Sequence, residues 1–228
     1  MRAFLPIKSH SERVPYKNFR PLRGVPLYRW ILSSILACGL IEEVCIDTDS
    51  LDPDLWDLDK HPRIIVKKRA PHLIGDDVSM NLLIEDYLKY FQHDVDIFMT
   101  HTTNPFLNPR TIDMIIERYY EAKTQNFDSL FSVTEFRARF YDSSLNPINH
   151  KLNELKRTQD LDSMFMENSC AYVFSRESFL NSNSRIGSRP EIIVTPLLES
   201  VDIDTPADWE LATALAQSIE SPPTIPSC

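Results

Sequence analysis

The chain has 228 residues, 43% of them hydrophobic, and a formal net charge of −9. That length and apolar content suit one sizeable core, and the acidic balance argues against binding nucleic acid, which needs an extended basic face to displace counterions. There is no apolar run of the roughly 18 residues a membrane span requires and no signal-peptide pattern, so a soluble cytoplasmic protein is expected. Cys38, Cys45, Cys170 and Cys228 show no paired spacing, which disfavours a zinc site or a disulfide framework.

The chain opens with the apolar run Phe4 to Ile7, which reads as a buried strand, and passes at once into a loop carrying Lys8, Ser11, Arg13, Lys17 and Asn18. Such a loop leaves the carboxyl end of a first parallel strand, where open α/β sheets place their ligands. Its cations are suited to neutralising phosphate oxygens, with Ser11, Asn18 and backbone N–H groups as neutral donors. With Arg20 and Arg23 they form the densest basic segment of an acidic chain, a pattern fitted to a small anionic ligand.

Apolar spacing predicts a buried helix over Pro26 to Cys38, with proline at its start and Gly39 past its end. Strands follow at Val44 to Ile46, Arg63 to Lys67 and Asp96 to Thr100, separated by helical periodicity at Met80 to Phe91 and then at Ile112 to Tyr119. This alternation predicts a Rossmann-like α/β fold, a mostly parallel sheet with helices on both faces. It breaks at Phe127. Ser129 to Tyr141 is β-rich, Asp142 to Asp162 is polar without a period, and strand character returns at Ala171 to Phe174.

A short helix from Arg176, a strand at Ile192 to Val194 and a last helix complete the pattern. Thr205-Pro206-Ala207-Asp208 supplies that helix with a capping hydroxyl, a proline in its first turn and an acid three residues after the cap. Residues 1–217 are expected to form one domain with an arm at about 134–165, and 218–228 a disordered tail. Asp202-Ile203-Asp204 precedes the last helix, and in an extended segment its two carboxylates share a side. The residues alone leave two readings: a cation between the acids, or helix capping by Asp204 with Asp202 exposed.

The segment Pro6 to Leu22, with Ser11, Pro15, Lys17, Asn18 and Pro21-Leu22, resembles the opening signature of the acylneuraminate cytidylyltransferases. Ser200 to Thr205 resembles their aspartate motif, which implies Asp202 and Asp204 as ligands of Mg2+. Further matches imply nucleotide contacts from Arg69 and Ser79 and sugar contacts from His101, Asn104, Arg157 and Gln159. They also imply a nucleotidyltransferase fold and a homodimer built through the β-rich arm.

The resemblance implies transfer of CMP from CTP to an acidic α-keto sugar, with Lys8, Arg13 and Lys17 on the triphosphate. Ser9-His10 and Thr158 depart from the pattern. The departures leave room for a Kdo-like or phosphonate acceptor, or for a non-catalytic nucleotide-binding protein of the same fold.

Overall fold

The computed structural model describes residues 1–226, so Cys228 lies outside the described residues. Strand β1 (Arg2–Ile7) leads through the basic loop to a small hairpin, β2 (Pro21–Leu22) and β3 (Val25–Pro26), and then to helix α1 (Leu27–Ala37). The chain continues through β4 (Glu43–Thr48), the one-turn helix α2 (Pro53–Trp56), β5 (Ile64–Lys68), α3 (Met80–Leu88), β6 (Asp96–Met99) and α4 (Pro109–Thr124). It ends with β7 (Ser129–Phe136), β8 (Met164–Ser175), α5 (Arg176–Ser182), β9 (Pro190–Val194) and α6 (Pro206–Ser218).

Seven strands form one sheet in the order β5-β4-β1-β6-β8-β7-β9. Neighbours run parallel except β8, which is antiparallel to both β6 and β7. The expected Rossmann-like α/β architecture is therefore present, with one reversed strand inside it.

Alternation along β1 shows how two helical layers are recruited. Ala3, Leu5 and Ile7 enter a cluster with Ile31 and Ile35 of α1 and Ile112, Ile115 and Ile116 of α4. Phe4 points the other way, into a cluster with Leu83, Ile84 and Tyr87 of α3 and Phe179 of α5. Burial of both faces is what makes β1 an unbroken apolar run. A third cluster joins α6 to the basic loop through Val14, Leu22, Ile203, Trp209 and Ala212.

The tip of the β2–β3 hairpin is a two-residue turn with positive φ at Arg23 (50°) and Gly24 (81°), the geometry that suits tight hairpins. It aims the Arg23 guanidinium at the end of α6, where it donates to the carbonyls of Ala216 (3.1 Å) and Glu220 (3.3 Å), and to that of Ile219. Arg20 lies over the Trp209 ring at 4.3 Å. These two cations therefore anchor α6 and do not join the candidate ligand cluster. Residues 219–226 carry no helix or strand, yet Ile225 packs against the first core cluster.

The polar stretch after β7 contains a single bridge, Tyr141 to Pro147, and a 3₁₀ turn at Thr158–Asp160. It exposes Leu145, Leu152 and Leu155 at 78%, 74% and 91%. No helix among the described residues is long and apolar enough to cross a membrane.

Candidate active site

Parallel strands β1, β4, β5 and β6 end on one side of the sheet, and the loops leaving them enclose a cleft of ≈ 180 Å³. Lys8, Ser11, Lys17 and Asn18 line it from the first loop, Arg69 and Val78 from the loop after β5, and His101 to Thr103 from the loop after β6.

Every expected phosphate-binding cation meets a carboxylate. Lys8 Nζ lies 2.5 Å from Asp76, Arg13 Nη2 3.1 Å from Asp204 Oδ2, and Lys17 Nζ 3.2 Å from Asp204 Oδ1. Lys17 is buried and also donates to the Ile203 carbonyl at 2.6 Å, so it ties the first loop to the acidic segment before α6. Asn18 is a brace as well as a lining residue. Its Nδ2 donates to the Lys8 carbonyl (2.7 Å), and its Oδ1 accepts from the Thr102 hydroxyl (2.6 Å). Asp49, just past the end of β4, accepts from the Ser9 N–H (2.7 Å) and hydroxyl (2.9 Å), fixing the start of the loop.

The two acids before α6 differ. Helix capping falls to Thr205, whose hydroxyl accepts from the Asp208 N–H while Asp208 reaches back to Thr205 N–H at 2.7 Å. Asp204 is thereby free of capping duty, which removes the alternative reading of that residue. Asp202 Oδ1 is buried without a hydrogen-bond partner. Burial, with the nearby Asp204 charge adding to it, raises the Asp202 carboxyl above its usual range, and a hydrogen bond with Thr103 only partly offsets this.

Whether Mg2+ suits these residues depends on what else would coordinate it. Among the described residues no group of three or more His, Cys, Asp or Glu side chains forms a ready-made cage. Magnesium, however, is commonly held by one or two carboxylates with substrate phosphates and water completing an octahedron. The unpartnered oxygen of Asp202 beside Asp204 fits that mode.

Arg69 is a buried structural residue as much as a cleft wall. Its Nε donates to Asp47 Oδ1 at 2.6 Å and its Nη2 to the Asp47 carbonyl at 3.0 Å, while Lys67 Nζ reaches Asp47 Oδ2 at 2.7 Å. Ser79 is the N-cap of α3, accepting from the Asn81 N–H at 3.2 Å, and its neighbours Val78 and Met80 face the cleft.

Asn104 is fully buried, with Nδ2 shared between the carbonyls of Asn168 and Val201 at 3.3 Å each, so it braces the cleft from behind. Arg157 and Gln159 are not brought to the cleft within one chain. Arg157 is exposed on the arm with its fork closed on Asp160 at 2.7 and 3.1 Å, and the Gln159 carbonyl accepts from Arg137.

His101 does reach the cleft. Its ring keeps an edge toward solvent but is otherwise enclosed, and burial, reinforced by the Arg185 and Lys17 charges, pushes its pKa down to about 3. It is a neutral group at ordinary pH. Its neighbour Arg185 has no counterpart among the expected site residues. The nearest sequence cue was Tyr172, read only as part of a strand.

The chain is similar along nearly its whole length to known enzymes. It is 26% identical to the CMP-N,N'-diacetyllegionaminic acid synthase of Legionella pneumophila, over 94% of this chain and 95% of that one. It is also 26% identical to N-acylneuraminate cytidylyltransferase A of Danio rerio, over 92% of this chain, which spans about half (49%) of that longer protein.

Among solved structures, a CMP:2-keto-3-deoxy-manno-octonic acid synthetase complexed with CTP shares the fold at a TM-score of 0.63 and 15% identity, covering 95% of this chain and 98% of that one. A 4-diphosphocytidyl-2C-methyl-D-erythritol synthase from Anaerococcus prevotii does so at 0.63 and 12%, covering 95% and 96%. The family model for cytidylyltransferases matches residues 3–218, nearly the whole chain that carries the basic loop and the acidic segment paired with it, and this chain belongs to the cytidylyltransferase family.

Proposed function

We propose that the enzyme transfers CMP from CTP to the anomeric hydroxyl of an acidic α-keto sugar of the sialic acid type and releases pyrophosphate. The observation that carries this reading is that Lys8 and Lys17 line one cleft at the ends of the parallel strands, while Arg13 and Lys17 both pair with Asp204, two residues from the unpartnered oxygen of Asp202. The acceptor hydroxyl loses its proton to solvent as its oxygen bonds to the α-phosphorus of CTP, and the bond from that phosphorus to the bridging oxygen breaks, so that the oxygen leaves with pyrophosphate. Charge then gathers on the departing pyrophosphate, where the three cations neutralise it, so the protein contributes chiefly by positioning and electrostatics.

Since those cations are paired with Asp76 and Asp204 beforehand, triphosphate binding exchanges partners. It replaces Asp76 on Lys8 and releases Asp204 from Arg13 and Lys17. Asp202 and the released Asp204 would hold Mg2+, which when bound supplies Lewis-acid stabilisation of phosphate charge. Arg69 and the α3 N-terminus around Ser79 wall the nucleotide side of the cleft.

The test is pyrophosphate release with CTP, ATP or GTP against N-acetylneuraminic, legionaminic and pseudaminic acids and Kdo. Turnover is expected with CTP and a nine-carbon acid. No release with any pair, or equal turnover with ATP, would refute it.

The arm supports a homodimer. Leu145, Leu152 and Leu155 stand exposed beside Arg157 and Gln159, which meet an acceptor only if a second copy presents them to its neighbour's cleft. Light scattering should therefore give about twice the chain mass of 26.4 kDa, and a value at the chain mass would contradict the dimer. Use of CTP, together with the free thiols of Cys38, Cys45 and Cys170, fits a cytoplasmic location.

A further inference from the structure

We propose that Arg185 reads the carboxylate of the acceptor sugar within its own chain's cleft, a reading that rests on the acidic-sugar function above. Arg185 lies between α5 and β9. Its guanidinium carbon sits 3.6 Å from the Tyr172 ring centroid, its Nη2 donates to the Tyr172 hydroxyl at 2.8 Å, and its Nη1 lies 3.1 Å from His101 Nε2. Tyr172 is fully buried on β8, paired with Met99 at the end of β6, so the guanidinium is laid on a rigid ring. A planar fork held in this way loses little freedom when it meets a carboxylate.

The contact with His101 fixes more than distance. Arginine only donates, so His101 Nε2 accepts and the ring proton resides on Nδ1. His101 is then a neutral donor at the cleft wall, and it brings no negative charge to compete for Arg185. The charged groups around it are Arg185, Lys17 and Asp204; Asp204 is held by Lys17 and Arg13 in the ligand-free protein and, in the reading above, would turn to Mg2+ once the triphosphate takes those cations.

Comparison with the other arginines decides the assignment. Arg69 is closed on Asp47 at 2.6 Å and Arg157 on Asp160 at 2.7 Å, whereas the carboxylate nearest Arg185, that of Glu167, stands at 3.5 Å and already accepts the Tyr172 hydroxyl. Arg185 is thus a largely enclosed cation, 21% exposed at the side chain, with a weakly engaged counter-ion beside a cleft-lining residue. Lys8, Arg13 and Lys17 are committed to the triphosphate in the reading above. A 2-keto acid carries its carboxylate next to the anomeric carbon, so a separate cation beside the reacting oxygen is what the acceptor half of the cleft requires.

The experiment is steady-state kinetics with the acidic acceptor and its C1 carboxamide, each at saturating CTP, for the wild type, Arg185→Gln, Arg185→Lys and Arg157→Gln. Arg185→Gln should raise the acceptor KM and cut the acid-over-amide ratio of kcat/KM by about 10- to 100-fold, with the KM for CTP within about twofold. Arg185→Lys keeps the charge without the fork and should recover part of that ratio, which keeps the test valid if the glutamine variant folds poorly.

Equal losses on acid and amide, accompanied by a lower melting temperature, would mark Arg185 as structural and overturn the proposal. An acid-specific loss confined to Arg157→Gln would do the same. A wild type that turns over acidic sugars while Arg185→Gln keeps the full ratio defeats only the Arg185 assignment. A wild type that releases no pyrophosphate with any acidic sugar removes the function and this inference together.

Discussion

Asp202→Asn is expected to lower turnover by about 10³-fold or more, the scale of losing a group that holds charge in place at a reacting phosphate, while the melting temperature stays level or rises. The two halves of that expectation come from one observation. Asp202 has a buried oxygen with no partner and a carboxyl pushed upward chiefly by burial, so in the ligand-free protein its charge costs stability. The sign follows from linkage. An acid whose folded pKa is raised penalises the fold once ionised, above that pKa, and the penalty vanishes below the unfolded value of about 3.9. Asparagine removes the ionisation and keeps the shape.

Asp204→Asn should lose activity too, but it should also lose stability, because the buried Lys17 ammonium is left with only the Ile203 carbonyl. Activity measured against added Mg2+ and excess chelator, beside thermal melts of both variants, separates the cases. An active but less stable Asp202→Asn would overturn the metal assignment.

The features legible in the sequence are those carried by local chemistry. The apolar-to-basic switch at Ile7-Lys8, the strand–helix alternation and the cap at Thr205 to Asp208 each declare themselves within a few residues, and each is where it was expected. What the sequence did not disclose depends on residues far apart along the chain. Strand β8 begins at Met164, earlier than its apolar half suggests, because the polar Asn168 interrupts the apolar run. In fact its amide is a buried hub donating to the hydroxyls of Thr134 (3.1 Å), Thr195 (2.7 Å) and Ser200 (3.2 Å). The reversed direction of β8 is equally silent in a period-2 pattern, which is the same read either way. Arg185 acquires its place only when His101 and Tyr172 fold against it.

The largest stability effect is expected at Asp47, which the sequence presents as an ordinary acid at a strand end. Its side chain is fully buried, and its two oxygens receive Arg69 and Lys67, themselves only 5% and 10% exposed. Burial alone would lower the Lys67 ammonium, but the Asp47 and Asp86 carboxylates outweigh it and hold its pKa raised. Asp47→Asn preserves volume yet leaves Arg69 without a counter-charge, since Lys67 retains Asp86 at 2.7 Å while Arg69 keeps only the Asp47 carbonyl. Breaking one side of a buried pair costs about 3–5 kcal/mol, against a total stability of roughly 5–15 kcal/mol. For a domain of this size that is a fall of about 6–20 °C in melting temperature. Arg69→Met should cost less, because the carboxylate it strands still has Lys67, and it should weaken CTP binding because Arg69 also walls the cleft. An Arg69 that served the nucleotide alone would change the CTP affinity without moving the melt. A melting temperature for Asp47→Asn within about 2 °C of the wild type would show that solvent reaches the pair and that this junction does not anchor the cleft wall.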